Sequence, residues 1–541
     1  VSMVALPSSP AGKFSVPQSQ LEKKIESFNA KPLAPVEGAA RLKVHPEAIH
    51  PACRDQLTAS SLGKQIMCSR KREEDCQYHA LISKGEGNIA ITMPSSACNQ
   101  RKKAAFSGGG SLPDEIIMEV LLRLPVKSIL RFRAVCRSWA MFFSTEQFCN
   151  LHMATPKIAP PKLLFVSPTS RPGSTEVFSC SPSGPKDDLL FTLDSACGNS
   201  MQVVMPAPCH GLTLLFDAVA PAYYICNAAT RAVTRLPPFR YLVRCTSTGL
   251  GFDARTRKYK VVRLIKGSRH DNESVRCEVY THGSGYGDCW RPPTGGIPFG
   301  LCRFAGAAVN NAAFFSLPPV FANGHLHWLV QPSLFSKKPR AAVISFSLAE
   351  ETFSFVGPPP FWTSEMYSST PLSASGPEFV PFCPGTLGEH LVQMDNQPCM
   401  VRDLRYNRNG GCVLEIWKLP DRSSCAWSLN HRISLLGRVA TDLRQPKVVR
   451  VIGSTGTSMS TKKILIATSM HKICDKFQKK VYTYDLNSES LETILSITVA
   501  HASLEGMNPS SRFSLFEESL ALVHETVEKI KLSTTPPPNR N

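Results

Sequence analysis

The chain has 541 residues, 43 % hydrophobic and 19 % charged, which is enough apolar mass for a sizeable folded core. Its net charge is +19, yet the only tight basic runs are Arg70-Lys71-Arg72 and Arg101-Lys102-Lys103, so the surplus reads as a solvated basic surface rather than a nucleic-acid footprint. The most apolar long stretch, 211–229, is interrupted by Asp217 and Pro221, which argues against a membrane span.

Residues 1–108 mix Pro, Ser, Lys and Glu without a sustained period and end in Ser107-Gly108-Gly109-Gly110, so a disordered extension with a flexible joint is expected. The first ten residues carry no basic segment and no long apolar one, so no secretory leader is expected. The 19 cysteines include no Cys-x-x-Cys pair, so free thiols in a reducing compartment are expected, with a cytoplasmic and/or nuclear location.

Helical character appears abruptly in 109–155. Ser111 with Asp114 resembles a capping pair, Pro113 suits a first helical turn, and Asp114 and Glu115 complement the helix dipole. Ile116, Ile117, Val120, Leu121 and Leu124 then share one face, and Pro125 stops the helix. A second short helix is predicted over Val126–Phe132, and a third carries Val135, Cys136, Trp139, Phe142 and Phe143. Three short helices cannot enclose much core. Leu112, Ile116, Val120, Leu121, Leu130 and Val135 are therefore expected to form an apolar patch too large to leave in water. Burying six such side chains would yield a gross ~10–15 kcal/mol, less association costs.

Residues 156–162 form a Pro-rich linker. From 163 to 505 the period becomes two, and short hairpins repeat. One theme sets a tight turn before an alternating strand: His210-Gly211, Asn323-Gly324 and, more weakly, Leu387-Gly388 ahead of Glu389-His390. A second theme is an aromatic or β-branched strand followed by a polar turn, at 223–230, 343–348 and 481–487, where Asn or Asp can bond the backbone two residues on. Such repetition predicts an all-β propeller of about six or seven blades of some 50 residues each. The fold class is therefore α+β and multidomain: a three-helix module, a propeller, and a tail over 506–541 with a helix expected at 514–532.

The run Leu112-Pro113-Asp114-Glu115-Ile116-Ile117, then Val120-Leu121-Leu122-Arg123-Leu124-Pro125, Leu130-Arg131-Phe132 and Val135-Cys136-Arg137-Ser138-Trp139, closely resembles the F-box of land-plant F-box proteins. Downstream, Gly249-Leu250-Gly251-Phe252-Asp253, Lys258-Tyr259-Lys260-Val261-Val262, Cys277-Glu278-Val279-Tyr280 and Leu414-Glu415-Ile416-Trp417 resemble the F-box-associated, kelch-like region. The likeness runs from about 112 to 500. It departs at Ala228, where the family usually has Pro, and in a long Gly- and Pro-rich loop at 283–315.

The resemblance implies a non-catalytic receptor subunit of an SCF-type ubiquitin ligase. The F-box would bind a Skp-type adaptor and through it a cullin and a RING subunit, while the propeller holds a protein target. The implied adaptor-binding residues are Leu112, Pro113, Ile116, Ile117, Val120, Leu121, Leu124, Pro125, Leu130, Phe132, Val135, Cys136 and Trp139.

Other motifs carry less. Cys76-x-x-His79 has metal-like spacing but no second pair, and His325 and His327 share a strand face without a third ligand. His282 precedes a Gly-rich loop that is not a nucleophile elbow, and 453–457 lacks the Lys of a phosphate loop. Trp290, Trp328, Trp417 and Trp427 read as core wedges. No metal, cofactor or catalytic residue is expected. The rival readings are a scaffold, a nucleic-acid-associated regulator, or a propeller enzyme.

Overall fold

The structure is a computed structural model that describes residues 113–155 and most of 162–533, including every strand and turn named below. The 1–108 extension, Ser111 and Leu112 lie outside the described residues.

Four helices open the described chain: α1 (Asp114–Arg123), α2 (Val126–Arg133), α3 (Arg137–Phe142) and α4 (Glu146–Ala154). Pro113 and Pro125 are the N-caps of α1 and α2, with extended backbone and ring-locked φ of −53° and −57°. The expected Ser111 cap is thus not the residue at the helix boundary. Leu124, which precedes Pro125, is pushed to ψ 144°, and that ends α1. α3 is shorter than its apolar pattern suggests: Cys136 is its extended N-cap, and Val135 stands in the connection before it. The fourth helix, which the pattern did not show, is capped by Thr145, whose hydroxyl accepts from the Phe148 N–H at 3.2 Å.

Strands follow in sheets. β1 (Lys162–Pro168), β2 (Ser174–Cys180) and β3 (Asp187–Asp194) form one antiparallel set. β4 (Met201–Val203), β5 (Thr213–Asp217), β6 (Ala222–Asn227) and β7 (Ala232–Arg235) form the second blade. The third holds β8 (Thr246–Asp253), β9 (Lys258–Lys266) and β10 (Val275–Thr281), with Arg291 bridged to Val279 at its edge. The fourth is β11 (Val320–Ala322), β12 (His325–Leu329), β13 (Val343–Ser347) and β14 (Phe353–Val356). The fifth is β15 (Glu389–Met394), β16 (Gln397–Asp403), β17 (Val413–Lys418) and β18 (Ser428–Ser434). The sixth contains β19 (Val449–Thr455), β20 (Lys463–Thr468), β21 (His471–Ile473), β22 (Lys476–Asp485) and β23 (Leu491–Val499).

The chain then returns to its first sheet. β24 (Phe513–Phe516) pairs with β1, setting Leu515 against Leu163 and Phe513 against Phe165, and β25 (Leu532–Ser533) pairs with β3. The propeller therefore has six blades, the first built from both ends of the domain. β24 also meets β19, so the ring closes, and Phe513, Leu515, Leu163, Ile452 and Leu465 share the core between the sixth and first blades.

The expected helix at 514–532 is not found over the described part of that stretch: 513–516 is strand and 517–523 has no regular secondary structure. All four residues of β24 are buried, so they fill a sheet rather than presenting one helical stripe.

The repeat logic is visible in the turns. His210 (φ 45°) and Gly211 (φ 83°) lead into β5, Asn323 (49°) and Gly324 (73°) into β12, and Asp395 (52°) and Asn396 (57°) into β16. Paired left-handed residues suit the twist of tight hairpins. A third copy is Asp395-Asn396, while the expected Leu387-Gly388 turn lies outside the described residues. The second theme holds in structure: Asn227 Oδ1 accepts from the N–H groups of Ala229 and Thr230, and Asp485 Oδ1 from those of Asn487 and Ser488. Asp253 makes the same turn with Arg255 and Thr256.

A buried ion cluster ties the third and fourth blades together. Lys260 Nζ lies 3.0 Å from both Asp253 and Glu351 and donates to Leu348 O at 2.6 Å, while Arg291 grips Glu351 at 2.6 Å. Burial would raise the Glu351 pKa, but Arg291 and Lys260 hold it well below the carboxylate range. The His327 pKa is lowered as well, here by burial, with His325 beside it, to about 3.

Two outcomes follow. At Gly211 a Cβ would lie 2.1 Å from Ser519 Cβ on a backbone of φ +83°, so Gly211→Ala is expected to cost ~1–3 kcal/mol in denaturant titration. His327 stays neutral in the native state while the unfolded chain protonates near 6.5, so its contribution is complete above that pH and shrinks as pH falls towards 3. Denaturation midpoints measured from pH 7 to 4 should fall, and fall less steeply in His327→Gln.

Candidate adaptor-binding face

The helices at 113–155 have an inner and an outer side. Inside, Leu121, Val126, Ile129, Phe143, Phe148 and Cys149 form a small core. Its aromatic rings meet edge to face, with Phe132–Trp139 centroids at 5.4 Å, Trp139–Phe143 at 5.3 Å and Phe143–Phe148 at 5.0 Å. Burial raises the Cys149 thiol to about 11, so this sulfur packs as a small apolar group.

The lid on that core comes from the far end of the chain. Leu520 is part of it and Leu522 packs against it, as does Ala229 from the turn after β6. The 517–523 strap runs between helices and propeller. Asn227 Nδ2 donates to Ser519 O at 3.0 Å and to Ala521 O at 2.8 Å. Ala521 belongs to the core of the second to fourth blades, and Lys162 pairs with Glu518 at 2.8 Å. Met153 on α4 packs against the same propeller core, with its sulfur 3.4 Å from the Tyr259 hydroxyl, which also reaches His210 O at 3.2 Å. Nothing in a local pattern marks 517–523 as a clasp; its partners are hundreds of residues away.

Outside, the apolar face of α1 splits in two. Ile117, Leu121 and Leu124 turn inward, whereas Ile116 and Val120, four residues apart, stand 50 % and 51 % exposed. Val135 is 50 % exposed and Met141 62 %, and Pro113, Pro125 and Cys136 are open as well. Leu130, Phe132, Leu124, Ile117 and Trp139 are partly covered. Leu121, expected on the open patch, is only 5 % exposed and serves the inner core. Of the expected residues, Pro113, Ile116, Val120, Pro125, Val135 and Cys136 are therefore the exposed ones. Ile116, Val120 and Val135 are already half covered, so docking can gain only about half of the usual ~1.5–3 kcal/mol for each.

Of the motifs set aside, the His325–His327 pair and two of the tryptophans find partners within the chain. His327 Nδ1 shares a hydrogen with Ser345 Oγ at 2.7 Å, and His325 Nδ1 lies 2.8 Å from Asn323 O. Trp328 donates to Ser247 Oγ and Trp290 to Pro237 O, both at 2.9 Å. Among the described residues there is no cluster of His, Cys, Asp and Glu able to hold a metal, and no helix is long and apolar enough to cross a membrane.

Comparison with known proteins agrees with this division. Residues 110–151 match the F-box domain, and residues 162–372 match the F-box associated beta propeller domain. An Arabidopsis thaliana F-box/kelch-repeat protein is 21 % identical over 437 residues, which is 77 % of this chain and 92 % of the relative. A second F-box/kelch-repeat protein of that plant is 22 % identical over 365 residues, 60 % of this chain and 73 % of the relative. An Arabidopsis F-box protein is 28 % identical over 238 residues, spanning 41 % of this chain and 59 % of the relative.

The inner and outer stripes should separate on mutation. Leu121→Ala is expected to cost ~2–5 kcal/mol through the cavity it leaves. Val120→Ala should change stability by no more than ~0.5 kcal/mol. Chemical denaturation of the two variants side by side measures the difference.

Proposed function

We propose that this chain, an F-box domain joined to an F-box-associated β-propeller, is the substrate-receptor subunit of an SCF-type cullin-RING ubiquitin ligase. Its F-box docks on a Skp-type adaptor, and its propeller holds the protein to be ubiquitinated. The observation that carries this reading is the half-exposed pair Ile116 and Val120, one turn apart on α1, whose other side is already packed. A face that is apolar, exposed and framed by two helix-capping prolines is suited to a partner protein.

Such a subunit acts without a reacting group of its own. Holding a target lysine near a charged conjugating enzyme makes transfer nearly intramolecular, so geometry supplies the rate. The strap at 517–523 supports this, because it holds the adaptor-facing helices against the propeller instead of leaving them on a loose tether. The receptor would work in the cytoplasm and/or nucleus, where the free cysteines among the described residues would stay reduced.

The test is capture of a purified Skp-type adaptor by the full chain and by Ile116→Asp with Val120→Asp. Both positions are half exposed, so the double variant should keep its thermal midpoint while capture falls at least about a hundredfold. Undiminished capture by a folded double variant overturns the reading.

A further inference from the structure

The sixth blade outruns its neighbours at one end. Its third strand, β22, has ten residues, where the third strands of the second, fourth and fifth blades have six, five and six. β22 pairs with β20 only from Asp485 back to Val481, which lies opposite Ala467. Its first five residues, 476–480, run on past that pairing. They are held by β21 and β23 instead. Lys472 stands opposite Phe477 and Ile473 opposite Lys476 on one side; Phe477 stands opposite Val499 and Lys479 opposite Ile497 on the other. The result is a three-stranded finger, about 17 Å long at ~3.4 Å per residue.

Strand direction fixes the face from which the finger projects. In the second blade the turn from third to fourth strand carries Asn227, which bonds the strap beneath the helices. The equivalent turn of the sixth blade carries Asp485, at the far end of β22. Equivalent ends of equivalent strands share a face of the ring, so the finger stands on the face opposite the helices.

Its composition is one-sided. Residues 471–480 hold Lys472, Lys476, Lys479 and Lys480 against a single acidic residue, and the part of β23 that pairs with them, 495–499, holds no Asp or Glu. The register alternates these lysines between the two faces of the ribbon, and it places Phe477, Ile497 and Val499 on the same face as Lys472 and Lys479. Positive charge gathered on one projection concentrates the field of a chain that already carries +19.

Building on the receptor reading, we propose that the finger formed by β21, β22 and β23 is a docking post for an acidic segment of the target protein. Aspartates and glutamates of that segment would meet the lysine positions, and interspersed apolar residues would meet the row at Phe477, Ile497 and Val499. Four lysines are fewer than the roughly six to ten phosphate contacts of a nucleic-acid footprint, which favours a short acidic stretch of protein. Placement opposite the helices lets target and adaptor be held at once, and opposite charge speeds the first encounter.

The test uses the full chain and a short fluorescein-labelled peptide of glutamates spaced by serine and leucine, with its counterpart in which glutamine replaces glutamate, read by fluorescence anisotropy. One variant joins Lys472→Gln, Lys476→Gln and Lys479→Gln. The control joins Arg231→Gln, Arg257→Gln and Arg432→Gln, three exposed positions on other blades, and removes the same charge. Expected is preference for the glutamate peptide, weakened at least about fivefold in the finger variant and less than about twofold in the control. The thermal midpoint of the finger variant should hold, as for most surface substitutions. If it falls, the three single lysine variants are read instead, each weakening binding by about twofold.

Equal weakening in finger variant and control would mean diffuse attraction only, and no weakening in any lysine variant would place the peptide elsewhere. Either result, equal binding of the two peptides, or retention of a single-stranded oligonucleotide without binding of the glutamate peptide overturns the proposal. Adaptor capture on the same preparations keeps this outcome apart from the receptor reading, because the finger variant should capture adaptor as wild type does.

Discussion

Phe513 to Val523 make the contact on which the remainder of the molecule depends. Its first part is the strand that completes the first blade, and its second part is the strap beneath the helices. Without that strand, β1 keeps an unpaired edge and Leu163, Phe165 and Ile452 lose the residues that cover them. Without the strap, the helical core loses Leu520, and the buried Asn227 amide loses both of its carbonyl acceptors. A single extended segment thus links ring closure to the placement of the helices.

The proposed division of labour follows from the faces left over. Leu121, Ile129, Phe143 and Phe148 are spent on holding the helices to the body, so a partner can use only the outer stripe. Met205 and Pro206 likewise bond the third and first blades that flank their own.

Much of this was legible from residue order. Two prolines, a helical period and turn residues at regular intervals were enough for the helices and the hairpins, because each is specified within a dozen residues. Ile116 and Leu121 show where such reading ends. Both fit the apolar face of α1, and which of them is covered is decided by Leu520, some four hundred residues away. Phe513 to Phe516 show the same limit: a four-residue apolar run fits a helix or a strand, and only the open edge of β1 chooses. Blade number was ambiguous because one blade is assembled from both ends of the domain, and Asp395-Asn396 was passed over because the hairpin repeats by left-handed backbone rather than by letters.

The strap also sets an order on biosynthesis. The ribosome releases the helices long before it reaches residue 513, and at ordinary elongation rates the interval is on the order of 20–80 s. Through that time the nascent helices lack Leu520 and the half-built ring has a raw edge. A message cut short near its end would yield a product with all four helices present but without Leu520 and the strap beneath them. The described fold is therefore completed by one late event, the arrival of β24 and the strap that follows it.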